Sequence, residues 1–80
     1  MESHIFGDNM RKIRKQYKIT QTRIAQWMGV APSTVMRWEN YETHPSKVHR
    51  RQWVYIYDTI TTYPADLWDE RIEEIKNKEK

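Results

Sequence analysis

Gly29 and Pro32, three residues apart, constrain this chain more tightly than any other feature in it. Glycine readily takes the left-handed conformation that stops a helix. Proline lacks an N–H and suits the first position of a new one. Only Val30 and Ala31 lie between them. Upstream, Thr20 can cap a short helix that starts at Gln21, its hydroxyl accepting from an otherwise orphan backbone N–H. The reciprocal half of a capping box is missing, because the third helical position is Arg23 rather than Glu or Gln. Ile24, Ala25 and Met28 share the inner face of that helix. Downstream, a helix from Pro32 to about Asn40 turns Val35 and Trp38 inward and leaves Ser33, Thr34, Met36 and Arg37 on other faces.

Two such helices joined by a short glycine-containing turn form a helix-turn-helix pattern. The rest of the chain is also helical in its spacing. Phe6, Met10, Ile13 and Tyr17 recur at steps of four, three and four, which predicts a first helix from about Ile5 to Gln16. Arg11, Lys12, Arg14 and Lys15 lie off that stripe. Tyr41 to Pro45 reads as a loop, since Pro45 keeps His44 out of the helical region. A fourth helix follows over roughly Ser46 to Thr61, with Trp53, Ile56, Tyr57 and Ile60 as its core stripe and His49 extending it backward. Tyr63–Pro64 ends it, and Asp66 caps or opens a last helix ending near Asn77, with Trp68, Ile72 and Ile75 inward. In that helix Asp69, Glu70, Glu73 and Glu74 precede Lys76, Lys78 and Lys80, an order that suits the helix dipole. No stretch alternates over the length of a strand. The expectation is one all-α domain over residues 1–80, a compact five-helix bundle with the helix-turn-helix at 21–40 and a C-terminal helix at 66–77.

Only 38% of the 80 residues are hydrophobic and 31% are charged, yet 4 Trp, 5 Tyr, 1 Phe and 4 Met supply bulk for a core, which argues against disorder. The absence of cysteine excludes disulfides, thiolate metal sites and a cysteine nucleophile. No apolar run nears the roughly 20 residues of a membrane span, and Met1–Lys15 lacks the apolar centre of a signal peptide. The expected location is the cytoplasm of a bacterial host. Residues 1–51 carry ten basic against four acidic residues, a net of +6, and residues 52–80 four against seven, a net of −3. A basic body with an acidic tail points to a polyanionic partner. Catalysis is not expected. His44 and His49 are five apart across a proline-containing loop, Ser33 and Ser46 sit in no nucleophile motif, and there is no glycine-rich phosphate loop. No cofactor or metal is expected either.

The block Ile19-Thr20-Gln21-x-x-Ile24-Ala25-x-x-Met28-Gly29-Val30-Ala31-x-Ser33-Thr34-Val35-x-x-Trp38-Glu39 resembles the Cro/phage-repressor (XRE) helix-turn-helix family. Phe6-Gly7-Asp8-x-Met10-x-x-Ile13-Arg14 resembles that family's first helix, and Tyr63-Pro64-x-Asp66-x-Trp68 the opening of its fifth. The resemblance implies a lambda-repressor-like fold and a homodimeric, sequence-specific binder of double-stranded DNA. Gln21 matches the position that bonds a phosphate oxygen. Ala31, Pro32, Ser33 and Arg37 match positions that meet base edges, while Thr34 and Asn40 match positions near the DNA backbone. Arg14 and Glu39 match an ion pair between the first and third helices. Three departures stand out: Ala31 replaces a capping Ser or Thr, Pro32 and Met36 stand where polar readers are frequent, and Tyr41 occupies the usual post-helix glycine.

The major groove admits one α-helix, whose leading residues reach deepest. Arg37 is a candidate for the bidentate contact to guanine, its alternative being a phosphate or solvent. Ser33 either reads a base or bonds only backbone. Ala31, Pro32 and Met36 offer apolar surface to thymine methyl groups, and Met36 equally suits a dimer contact. Thr20, Gln21, Arg23, Thr34, Asn40, Lys47, His49, Arg50 and Arg51 are candidates for phosphate, a contact that sets register and salt dependence without carrying sequence information. Trp27 occupies a position usually polar and exposed. It packs within the protein, stacks on a partner or meets the sugar-phosphate edge. Tyr55 and Tyr63 are candidates for an exposed patch at a dimer interface. The alternative to a repressor is an antitoxin-like protein-interaction module on the same scaffold, binding a protein through Trp27 or the acidic C-terminal helix.

Overall fold

The computed structural model describes residues 2–78, with side chains from residue 5 to residue 77. Five α-helices follow one another: α1 (Glu2–Gln16), α2 (Gln21–Met28), α3 (Pro32–Glu39), α4 (Lys47–Thr62) and α5 (Trp68–Lys78). There is no strand among the described residues. No helix among them is long and apolar enough to cross a membrane. The first helix begins three residues before the expected Ile5. The last opens with a single 3₁₀ turn over Ala65–Leu67, so Asp66 lies in that turn rather than in α5 itself. Lys80 lies outside the described residues. Lys76 does not serve only its own helix: its Nζ donates to the carbonyl of Gln26 near the end of α2 (3.1 Å).

Each helix end has an identifiable cause. Thr20 and Ser46 accept from the backbone N–H of Arg23 and His49, as N-caps do. The C-termini of α1, α2 and α3 close in the same way, with a residue at positive φ: Lys18 (58°), Gly29 (69°) and Tyr41 (63°). In each case the next N–H reaches back five residues, Ile19 to Arg14 (2.8 Å), Val30 to Ala25 (3.0 Å) and Glu42 to Arg37 (2.9 Å). These three bonds satisfy carbonyls that the helix ends would otherwise leave bare. Only one of the three turns uses glycine.

The core gathers Phe6, Met10, Ile13, Ile19, Ile24, Val35, Ile56, Ile60, Ile72 and all four tryptophans. Trp38 meets Phe6 edge-on (5.6 Å), and Trp68 meets both Trp27 (6.2 Å) and Tyr17 (6.0 Å) in the same way. Buried indole N–H groups need acceptors. Trp53 donates to Asn9 Oδ1 (2.7 Å), Trp68 to the carbonyl of Tyr63 (2.9 Å) and Trp27 to Asp69 Oδ1 (2.7 Å).

Two expectations for α4 and its exit need correction. Tyr57 is not core: it is 38% exposed, while Thr59 is buried. Thr59 can enter the core because its hydroxyl donates to the carbonyl of Tyr55 (2.9 Å), one turn back. Tyr63 is not part of an exposed patch. It packs against the core, with Arg71 stacked on its ring (4.2 Å) and donating to its hydroxyl (2.8 Å).

Candidate nucleic-acid interface

The third helix presents two different faces. Val35, Trp38 and Glu39 are buried against the body, whereas Ala31, Pro32, Ser33, Met36 and Arg37 are exposed. Thr34 is half-buried between them. Ala31 supplies no side-chain cap, so Pro32 at the first position starts the helix. The exposed face combines one cation, one hydroxyl and three apolar groups.

A buried carboxylate holds this helix in place. Glu39 is 1% exposed. Arg14 of α1 grips it with two hydrogen bonds, Nε to Oε2 and Nη2 to Oε1, both 2.9 Å. Gln21, the first residue of α2, donates its amide to Oε1 (3.2 Å). The bond to Glu39 holds the Arg14 guanidinium above its usual pKa, against the opposing effect of burial. Arg14 also donates to the carbonyl of Ile19 (3.4 Å), in the turn between α1 and α2. Three helices thus meet at one acidic side chain.

The α1 face that does this also includes residues that helical spacing alone reads as solvent. Arg11 Nη2 donates to the carbonyl of Glu39 and to Oδ1 of Asn40, both 3.1 Å. Gly7 lies so close to α3 that a Cβ on it would sit 2.4 Å from the carbonyl oxygen of Trp38. The hydroxyl of Tyr41 donates to Asp8 Oδ1, and that bond raises its pKa above the usual tyrosine value. Gly7, Arg11 and Arg14 are four and three residues apart, one continuous strip of α1, and this spacing is the signal that was available in the sequence.

The phosphate candidates divide. Thr20 caps α2 from an exposed position, and Gln21 is engaged by Glu39. Lys47 and Arg51 are exposed on α4. Arg50 lines a shallow depression with Ile5, Phe6, Asn9, Trp53 and Val54. The His49 ring is half-buried against Trp38 (5.2 Å), with Nδ1 3.0 Å from Ser46 Oγ, so it braces the start of α4 against the back of α3. Arg23 is also engaged within the protein. Its guanidinium lies over Trp27 (4.9 Å) and Trp68 (5.5 Å) and reaches Asp69 (3.5 Å), so α5 holds it.

Of the three readings open to Trp27, packing within the protein is the one the structure shows. At 6% exposure, bonded to Asp69 and edge-on to Trp68, it is an internal clasp between α2 and α5.

The helix-turn-helix family model matches residues 10–48, the span from the middle of α1 through α3 to the start of α4. Those residues are a helix-turn-helix of the XRE/Cro type. No curated protein and no solved structure matches the chain. The match over these residues supports a DNA-binding regulator of transcription of this type. In that frame α2 and α3 are the two helices of the motif, and α3 stands in the place of its recognition helix.

Proposed function

We propose that the protein is a sequence-specific repressor of phage or bacterial type, acting in the bacterial cytoplasm as a homodimer on an inverted repeat. The observation that carries this reading is the division of α3: its inner residues are locked to α1 and α2 through Glu39, and its leading face, Ala31, Pro32, Ser33, Met36 and Arg37, is left uncovered. A helix presented rigidly in this way enters a major groove without first having to be ordered. Arg37 then pairs with guanine O6 and N7, Ser33 takes a donor or acceptor on a base edge, and the apolar residues meet thymine methyls. Thr20, Gln21, Thr34, Asn40, Lys47, Arg50 and Arg51 meet phosphates. Arg23 and His49, each already engaged within the protein, contribute charge at most. Self-association rests on α4, where Val54, Tyr55 and Tyr57 expose apolar surface.

Selection of bound duplexes from a random pool tests this directly. The expected result is a two-fold symmetric consensus with half-sites about 34 Å apart centre to centre. An enriched pool with a single asymmetric half-site would remove the homodimer from the proposal, and no enrichment would remove sequence specificity.

A further inference from the structure

Asn40 ends α3 at an exposed corner, and its own backbone N–H is already committed to the carbonyl of Met36 (3.0 Å). Its side-chain amide is therefore the group it has left to offer. An amide has two unlike ends, an acceptor oxygen and a donor NH2, and an unconstrained one presents either. Here the choice is made by Arg11. Nη2 of Arg11 lies 3.1 Å from Asn40 Oδ1, and the same nitrogen donates to the carbonyl of Glu39 (3.1 Å). The Nε of Arg11 lies 3.6 Å from the Glu39 carboxylate, which fixes the guanidinium from behind. A guanidinium has donors only, so the amide must turn its oxygen inward and its NH2 outward.

We propose that Arg11 is a positioning residue for DNA, holding Asn40 in the one orientation that offers a donor, so that Asn40 acts as a phosphate anchor of fixed polarity at the end of α3. This inference rests on the DNA-binding reading above. Phosphate oxygens accept hydrogen bonds and donate none, so an amide fixed this way is matched to the DNA backbone in advance. Ordering it before contact reduces the side-chain entropy lost on binding. The side chain of Arg11 is 40% exposed, and its charge adds to the same corner.

Equilibrium binding of the full chain to random duplex DNA over a range of salt, together with thermal unfolding, tests the assignment. Asn40→Asp is expected to fold with an unchanged or higher midpoint, because a carboxylate accepts from Arg11 more strongly than an amide does. It is nevertheless expected to bind every duplex at least about tenfold more weakly, having lost the donor and gained a repelling charge. Arg11→Lys keeps the charge but not the rigid planar group, steadied at Nε by the Glu39 carboxylate, that aims Nη2 at both oxygens. It is expected to weaken binding severalfold with no change in the slope of log affinity against log salt. The proposal is overturned if Asn40→Asp binds as the unaltered chain does. It is also overturned if Arg11→Lys binds normally while Arg11→Met lowers the salt slope by about 0.9, the mark of a direct phosphate contact by Arg11 itself. If the unaltered chain binds no duplex even at low salt, the DNA reading fails and this inference with it.

Discussion

Glu39→Ala is expected to lower folding stability by roughly 3–5 kcal/mol, the range for removing one partner of a buried ion pair. The pair itself contributes little net stability, because taking two charges out of water offsets most of their attraction. What makes the substitution costly is what it leaves behind. Arg14, with a side chain only 18% exposed, would lose both of its 2.9 Å bonds, and Gln21 would lose its acceptor. A chain of 80 residues has about 4–12 kcal/mol to lose in total, so the variant should give up a large share of its stability. Denaturant titration followed by helical circular dichroism checks this. The double variant Arg14→Met/Glu39→Leu, which removes both charges and refills the volume, should recover much of the loss. A single-variant loss below about 1 kcal/mol would mean that Glu39 is not the junction of the three helices.

Gly7→Leu is expected to be damaging for a different reason. Even the first carbon of a side chain there would fall 2.4 Å from the Trp38 carbonyl oxygen, which is backbone and cannot swing aside. Either α1 or α3 has to move, and overpacking of this kind costs about 3 kcal/mol. Gly7→Ala meets the same oxygen but gains up to about 1 kcal/mol of helix propensity in return, so its loss should be smaller. Both variants should weaken DNA binding more than their unfolded fraction accounts for, because a shift of either helix changes how α1 presents α3, the helix proposed to enter the groove. Unfolding midpoints and affinities measured in parallel check this. A Gly7→Leu protein of normal stability would show that α1 and α3 are not in fact this close.

Much of the fold was legible because its punctuation is local. Thr20, Gly29 and Pro32 act within one turn of themselves, through a cap, a left-handed residue or a missing N–H, and the structure uses each of them. What the spacing could not settle was which of two neighbouring helical positions faces inward. Tyr57 fits the stripe of Trp53 and Ile60 as well as any inner residue does, but the flanking helices close over Thr59 instead. Trp27 sits on the outer side of α2 considered alone. It becomes internal only because α5, more than forty residues later, returns to cover it with Asp69 and Trp68.

The site divides along the same line. The pairing of Arg14 with Glu39 came through the family resemblance, and the structure places the two side chains in a two-pronged contact. Arg11 looked like one more solvated cation, because its partners are the carbonyl of Glu39 and the side chain of Asn40, nearly thirty residues away. A backbone partner leaves no trace in a residue pattern. Arg23 shows the same limit: a cation at the start of α2 suits phosphate, and the spacing gave no sign of the two tryptophan faces and the α5 carboxylate that also engage it.

The most direct test of the central claim is the affinity of Arg37→Ala for the duplex selected by the unaltered protein and for each single-base variant of it. Arg37 is exposed on the last turn of α3, away from the buried Glu39 junction, so the substitution should leave the fold intact. The expected result is a loss of about 1–3 kcal/mol on the selected duplex and relaxed preference at one position of each half-site. Unchanged affinity for all the sequences would contradict it, because the outward face of α3 would then not be reading bases through this arginine.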